Sequence, residues 1–294
     1  LETRVNVTRE RFTSIVLPKR FGGAAMPTIK TVDMRTTDLS SNRFISDEMV
    51  TALKATLEAG EQSMLFLNRR GYAPLTLCRT CGHRVECPSC AAWLTEHRFR
   101  KRLQCHHCGY EVPTPSVCPS CENVDTLVAC GPGVERIAEE VTGLLPDARI
   151  GIMTSDTMRG PESAQTFIRS VENGELDILI GTQMVAKGHH FPNLTLVGIV
   201  DADLGLAGGD LRAAERTYQV LQQVSGRAGR AERPGRVLIQ TFQPEHPVMS
   251  TLVSGDRERF FELETEARQA GGWPPFGRLA AIIVSSRDSR IADD

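Results

Sequence analysis

From residue 126 to 242, short apolar runs rich in β-branched residues alternate with amphipathic stretches. Thr126–Cys130, Arg149–Met153, Asp177–Ile180, Thr195–Val200 and Arg236–Phe242 read as strands. Gly133–Leu145, Pro161–Asn173 and Asp210–Val224 read as helices, the second with proline in its first turn. Strands this uniformly apolar are covered on both faces, so the pattern predicts an α/β domain with a parallel sheet. Upstream, Ser46 is an N-cap, Asp47 and Glu48 occupy the first turn, and Met49, Leu53 and Leu57 form a stripe ending at Gly60. Ser63–Leu67 then reads as a buried strand, and Thr28–Met34 as an extended piece. Past residue 244 the pattern predicts a helix over Asp256–Ala270, an interdomain linker at Gly271–Phe276, and a new element beginning at Leu279–Ser285.

One segment interrupts this alternation. Between residues 78 and 121 aliphatic side chains are scarce and cysteines come in four pairs: Cys78-x-x-Cys81, Cys87-x-x-Cys90, Cys105-x-x-Cys108 and Cys118-x-x-Cys121. A C-x-x-C turn aims two sulfurs at one point, and two such turns complete a tetrahedron around Zn²⁺. The segment is too poor in apolar residues to build a core unaided, so metal coordination would supply its folding free energy. Five residues separate the first two knuckles, which is tight for one ion, whereas fourteen separate the second and third, enough for a zinc-ribbon hairpin. This favours a nested arrangement with Cys87, Cys90, Cys105 and Cys108 inside and Cys78, Cys81, Cys118 and Cys121 outside. A cross-braced pairing stays open. Cys130 ends an apolar run and reads as a strand residue.

Composition narrows the setting. The 294-residue chain has no apolar run of membrane-spanning length, and its paired thiols call for a reducing compartment, so it reads as soluble and cytoplasmic. Net charge is −2, and eight thiolates with two zinc ions would take it to about −6. Nucleic acid would therefore have to be held by local patches: Arg69–Arg70, Arg98-Phe-Arg-Lys-Arg102, or the series Arg227, Arg230, Arg233 and Arg236. The first two equally suit cations balancing a dianionic Cys₄ centre. Trp93 and Phe99 read as the small core of the inner hairpin, with base stacking as the other use.

Two turns in the α/β part carry chemistry. Leu179-Ile-Gly-Thr-Gln-Met-Val-Ala-Lys-Gly188 runs from a strand through a Gly-Thr turn into a short helix ending at Gly188, offering amides and a hydroxyl to phosphates. Gln223-Val-Ser-Gly-Arg-Ala-Gly-Arg230 follows a helix; its glycines admit a close ligand while Arg227 and Arg230 suit a guanidinium clamp on a phosphoryl group. No G-x-x-x-x-G-K-[ST] loop and no DEAD- or DEAH-type tetrad occurs in the chain. Asp201-Ala-Asp203, at a strand end, reads as a turn cap rather than a metal-binding pair.

The second turn resembles motif VI of superfamily-two helicases, and Gly181-Thr-Gln-Met-Val-Ala-Lys-Gly188 resembles their motif V. With the four knuckles, Phe66-Leu-Asn-Arg-Arg-Gly-Tyr72, Cys105-His-His-Cys108, Asp210-x-Arg-Ala-x-Glu-Arg216 and Pro274-Pro-Phe276, the chain from residue 1 to about 285 is similar to the PriA family of bacterial replication-restart helicases. It departs from that family at Gly131-Pro-Gly-Val-Glu135, where Gly-x-Gly-Thr-Glu is usual, and at Thr154-Ser155, where Asp-Arg is usual.

The resemblance implies a RecA-like helicase C-terminal lobe interrupted by a small double zinc-binding insertion. It divides the chain into 1–45, the end of the first lobe and a linker; 46–77, the start of the second lobe; 78–122, the insertion; 123–248, the rest of the lobe; and 249–294, the start of a C-terminal domain. Leu1-Glu2 resembles residues just past motif III, as though the chain were cut from a longer polypeptide. The implied parent is an ATP- and Mg²⁺-dependent DNA helicase that unwinds stalled forks and starts primosome assembly. It would act on forked and single-stranded DNA with single-stranded-DNA-binding protein and other primosome proteins. Arg230 would be the arginine finger, with Arg227 beside it. Gln223 and Gly226 would meet the nucleotide, and Thr182, Gln183 and Lys187 the DNA. Lacking a phosphate loop, this chain alone would be inactive. Two rivals remain: a non-catalytic zinc-ribbon module on a degenerate lobe, and an RNA helicase.

Overall fold

The computed structural model describes residues 1–15, 26–37, 39, 43–68, 75–78, 80–89, 93–97, 102–105, 108–130, 133–154, 157–158, 160–186, 191–206, 210–229 and 233–280. These fall into two units, one within Leu1–Val16 and Glu258–Asp294, the other within Leu17–Arg257.

The larger unit holds two sheets. Strands β1 (Thr28–Asp33), β2 (Gln62–Leu67), β8 (Ile150–Met153), β9 (Ile178–Gly181), β10 (Leu194–Asp201) and β11 (Arg236–Thr241) form a wholly parallel sheet in the order β1-β11-β10-β2-β9-β8. Strands β3 (Leu75–Cys78), β4 (Thr95–His97), β5 (Arg102–Gln104), β6 (Glu111–Pro113) and β7 (Leu127–Cys130) form an antiparallel sheet in the order β6-β5-β4-β3-β7. Every residue of β2 is buried, as a central parallel strand requires.

Helices α2 (Asp47–Glu58) and α3 (Val134–Leu144) cover one face. Met49, Leu53, Ile137 and Val141 meet Leu65, Leu67, Ile178, Ile180 and Leu196 there. The alternate residues Met64, Phe66, Val197 and Ile199 are buried on the other face. There α5 (Ala213–Ser225) packs on β10 and on α6 (Pro247–Ser254), and α6 on β1. Ser46 caps α2 as the sequence indicates: its hydroxyl accepts from the Met49 amide at 3.2 Å. Helix α4 (Pro161–Glu172) starts at its proline.

Three assignments differ from the sequence reading. Thr28–Asp33, placed there in a segment ahead of the lobe, pairs along all six residues with β11 and is the sheet's edge strand. Leu127–Cys130, read as part of the α/β sheet, pairs antiparallel with Leu75–Cys78 and closes the base of the cysteine-rich segment. That segment therefore runs from β3 to β7. Residues 183–186, expected to start a helix, form consecutive turns. The two strand differences turn on a partner remote in sequence, which local periodicity does not encode. The cysteine-rich segment has its own small core, Val85, Leu94 and Leu103 with Cys87 and Cys105, flanked by Tyr110, Val112 and Leu127.

In the smaller unit, α1 (Glu2–Thr8) and α7 (Arg257–Ala270) are joined by charge. Arg268 is buried, donates from Nε to Glu264 at 2.9 Å and lies 3.7 Å from Glu2, and Arg4 pairs with Glu258. The predicted linker Gly271–Phe276 instead folds back on α7: Trp273 N–H donates to the Arg268 carbonyl at 2.8 Å, and Phe276 N–H to Trp273. The element expected at Leu279–Ser285 lies mostly outside the described residues.

Candidate functional site

The register of the parallel sheet gathers one set of strand ends. Leu67 stands opposite Asp201, Phe66 opposite Gly181, and Gly181 opposite Met153, so β2, β8, β9 and β10 finish along a common carboxyl edge. Thr182 and Gln183 follow β9 on this edge, both half-buried. In open parallel sheets this is where ligands bind. Lys187, the third residue expected beside them, lies outside the described residues.

Helix α5 runs back from that edge, so its C-terminus, carrying Gln223 and Gly226, lies at the amino edge where β10 begins; the Gly229 amide donates to the Leu194 carbonyl at 3.1 Å. Gln223 is exposed, and Gly226 is the C-cap with φ −66°. Gly229 has φ +68°, and a Cβ there would lie 2.2 Å from the Gly235 nitrogen, so only glycine fits this turn. The chain between Thr182 and Leu194 links the two edges. The turns are tied directly: Arg227 donates from Nε to the Ala186 carbonyl at 3.0 Å and also from a terminal nitrogen. The sequence suggested that Arg227 projects as an open cation. Instead it is only 6% exposed, because it satisfies a carbonyl of the other motif. Arg230 lies outside the described residues.

The described members of the four-arginine series each have a partner. Beyond buried Arg227, Arg233 lies 3.2 Å from Glu61 and Arg236 donates to the Thr56 hydroxyl at 3.2 Å. Arg69, Arg70, Phe99 and the run 98–101 lie outside the described residues, while Arg102 pairs with Glu111 at 3.4 Å.

The cysteines gather in the nested order. Ligand atoms of Cys78, Cys81, Cys118 and Cys121 all lie within 4.8 Å of one another, as do those of Cys87, Cys105 and Cys108. Cys90 lies outside the described residues, as does the side chain of Cys130. Sulfur separations are 3.6 Å for Cys78–Cys121, 3.7 Å for Cys81–Cys118 and 3.4 Å for Cys87–Cys108. A disulfide needs about 2.05 Å. A tetrahedron with Zn–S near 2.3 Å has edges of about 3.8 Å, so the donor set fits zinc. Burial opposes ionisation of Cys78, but the Thr126 hydroxyl and the Cys81 and Thr80 amides outweigh it and bring the thiol down to about 6. Burial pushes Cys81 up to about 12. Donors trained on a sulfur are what a thiolate ligand needs.

Sequence reasoning missed one residue. Arg84, between the first two knuckles, donates to Asp201 Oδ1 at 2.9 Å, lies 3.6 Å from Asp203 Oδ2, and stacks 4.3 Å from the Trp93 ring centroid. Asp201 also accepts from the Asp203 amide, which is the turn-capping role expected of it. Trp93, half-buried, stacks on Arg84 and is not among the residues of the segment's apolar cluster. No sequence pattern marks a lone arginine as the partner of carboxylates 117 residues away.

Asp203 is fully buried and accepts from the Thr241 hydroxyl and the Phe242 amide. Burial, reinforced by the Asp201 carboxylate, pushes its carboxyl up to about 6 against the pull of Arg84. A carboxyl raised above its unfolded value stabilises the fold fully at low pH and loses that contribution as pH rises through about 6. That loss falls between the ordinary carboxylate value of 3.8 and about 6, so stability should decline as pH rises across this span. Urea titrations of the zinc-loaded chain should show that slope in the native chain and its loss in Asp203→Asn.

A parallel α/β lobe with a cysteine-rich hairpin domain on one strand connection is the architecture of a helicase C-terminal lobe. Two family models match: the helicase conserved C-terminal domain over residues 125–232, and the PriA DNA helicase Cys-rich region (CRR) domain over residues 87–113. The chain is 46% identical to replication restart protein PriA of Rickettsia prowazekii over all 294 residues, covering 45% of that protein. It is 40% identical to the Bacillus subtilis protein of that name, covering 98% of this chain and 36% of the relative. The Haemophilus influenzae protein of that name is 37% identical over the whole of this chain, which covers 40% of that relative. The chain belongs to the PriA family of replication restart proteins, and spans somewhat under half the length of these relatives. Among solved structures, the DUF1998 helicase MrfA bound to DNA and AMPPNP is 14% identical, with TM-score 0.40 over 83% of this chain and 24% of that one. Among the described residues no helix is long and apolar enough to cross a membrane.

Proposed function

We propose that the chain is the second motor lobe, with its zinc-bearing insertion, of an ATP-driven DNA helicase. Such a helicase would act at stalled or repaired replication forks and start primosome assembly. The observation that carries this reading is the Arg227–Ala186 tie: it joins the strand-contacting turn at the carboxyl edge to the nucleotide-facing turn at the amino edge. Closure on ATP would move Gln223, Gly226 and Arg230 toward nucleotide and Mg²⁺ held by the other lobe, with Arg230 as the finger. Through Arg227 the same movement reaches Thr182, Gln183 and Lys187 on the DNA strand, alternating the grip. Arg227, expected to share the clamp, serves on this reading as the link between the turns.

Cys78, Cys81, Cys118 and Cys121 would hold one Zn²⁺, and Cys87, Cys90, Cys105 and Cys108 the second. The ions supply cross-links where the core is only a few side chains. The insertion leaves from the carboxyl end of β2, the edge that also carries Thr182, and this supports a role for it in parting strands at a fork. Single-stranded-DNA-binding protein and other primosome proteins are the partners this reading implies, in the cytoplasm.

Strand-displacement assays with the full-length protein test it. Forked DNA should be unwound in the presence of ATP and Mg²⁺, duplex RNA should not, and the 294-residue chain alone should turn over no ATP. Equal unwinding of duplex RNA would overturn the assignment, and absence of ATP turnover in the full-length protein would favour a non-catalytic module.

A further inference from the structure

The insertion is joined to the lobe at more than its two chain crossings. Arg84 reaches out of it to Asp201, the last residue of β10, and to Asp203 just beyond. Asp203 in turn accepts from Thr241 and Phe242 at the end of β11. One residue pair away, Gly82 lies against Phe242 so closely that a Cβ would sit 2.6 Å from the ring-bearing carbon, and its φ of +76° also demands glycine. Arg84 is three residues from Cys81, a ligand of the outer cluster, and three from Cys87, a ligand of the inner one. It bridges to Leu77 of β3 and is stacked on Trp93, so it is held within the insertion on several sides.

A buried ion pair of this kind is weak evidence for stability, since the desolvation cost of the charges can match their attraction. What it does provide is direction: a guanidinium between two carboxylates admits few orientations. The carboxylates stand on the carboxyl edge of the sheet, the edge that carries Thr182. We propose that Arg84 is a positioning residue. It locks the cysteine-rich insertion to the ends of β10 and β11, so that insertion and lobe move as one body and lobe movement loads a strand junction lying against the insertion. The mechanical lock stands on the geometry alone; its use in unwinding rests on the motor reading proposed above.

The lock is read first without any activity. Spectroscopic labels carried on unnatural amino acids at exposed Val124 of the insertion and exposed Glu58 of α2 leave the cysteines untouched. Pulsed dipolar measurements on the zinc-loaded 294-residue chain should give one narrow distance distribution. Arg84→Met should widen it about twofold or more with zinc content unchanged, and Arg84→Lys should restore part of the order. Arg84→Met leaves the buried Asp203 and part-buried Asp201 carboxylates facing an apolar group; the companion variant Arg84→Met with Asp201→Asn and Asp203→Asn removes that charge while still lacking the lock. An unwidened distribution in the companion variant overturns the proposal.

In the full-length protein, Arg84→Met should lower forked-DNA unwinding roughly tenfold or more while DNA-stimulated ATP turnover stays within about twofold. Equal loss of turnover and unwinding, or unwinding that survives a loosened insertion, overturns the coupling. Failure of the native protein to unwind at all would instead strike the motor reading and leave the distance measurement standing as the test of the lock.

Discussion

Stripping both zinc ions from this chain is expected to unfold the stretch from Cys78 to Cys121 and leave the parallel sheet standing. Little besides metal holds the segment. Its core is Val85, Leu94 and Leu103 with two of the ligand cysteines, so removing the metal takes away cross-links and unsettles much of the core together. Structural zinc contributes on the order of 10 kcal/mol or more per site, far beyond what three aliphatic side chains at roughly 1.5–3 kcal/mol each supply. The lobe draws on a separate cluster, in which α2 and α3 cover β2, β9 and β10, and which among the described residues contains none from the insertion. Hydrogen exchange measured peptide by peptide, before and after a strong chelator, checks this. Amides of β4 to β6 should exchange within the earliest time point, while those of β2, β9 and β10 keep most of their protection. Collapse of both together would mean that the insertion is part of the lobe's core. Cys118→Ser should reproduce the chelator's effect on the outer site, whereas Cys130→Ser, at the end of β7, should not.

The second large effect belongs to the turn proposed to face nucleotide. In the full-length protein, Arg230→Ala should lower ATP turnover ~10³-fold or more, as loss of an arginine finger commonly does, with little loss of DNA affinity. Arg227→Ala should behave differently. Its guanidinium holds the Ala186 carbonyl, so truncation leaves a buried acceptor unsatisfied and frees the turn that begins at Thr182. Affinity for single-stranded DNA should then fall along with turnover. Steady-state ATPase rates paired with fluorescence-anisotropy titrations of a labelled oligonucleotide separate the two. If Arg230→Ala turns over ATP near the native rate, the finger is elsewhere. If Arg227→Ala leaves DNA affinity untouched, the tie between the turns has no mechanical role.

Much of the architecture is written locally and was legible in that form. The Ser46 cap with Asp47 and Glu48 behind it, the proline opening α4, and the apolar runs of β2, β9, β10 and β11 all report through side chains a few residues apart. The knuckle spacing likewise foreshadowed the nested sulfur clusters, because a five-residue connection is short for folding two knuckles onto one ion. What escaped was long-range. Thr28–Asp33 looks the same whether it ends one lobe or edges another, since its partner lies more than 200 positions on. Leu127–Cys130 has the apolar character of a core strand, yet it answers to Leu75–Cys78. Arg84 carries no motif at all; its meaning comes from a sheet edge assembled out of β10 and β11.

The pairing of β3 with β7 has a consequence for how such a molecule is made. Leu75 meets Cys130 and Cys78 meets Leu127, so the excursion is zipped at its root and departs and rejoins the lobe at nearly one point. To the rest of the chain a detour of more than fifty residues then behaves as a tight hairpin, and the entropy of closing so long a loop is offset within the neck itself. The lobe can thus complete its sheet before any ion arrives, and metal can be loaded afterwards onto a body already folded beneath it.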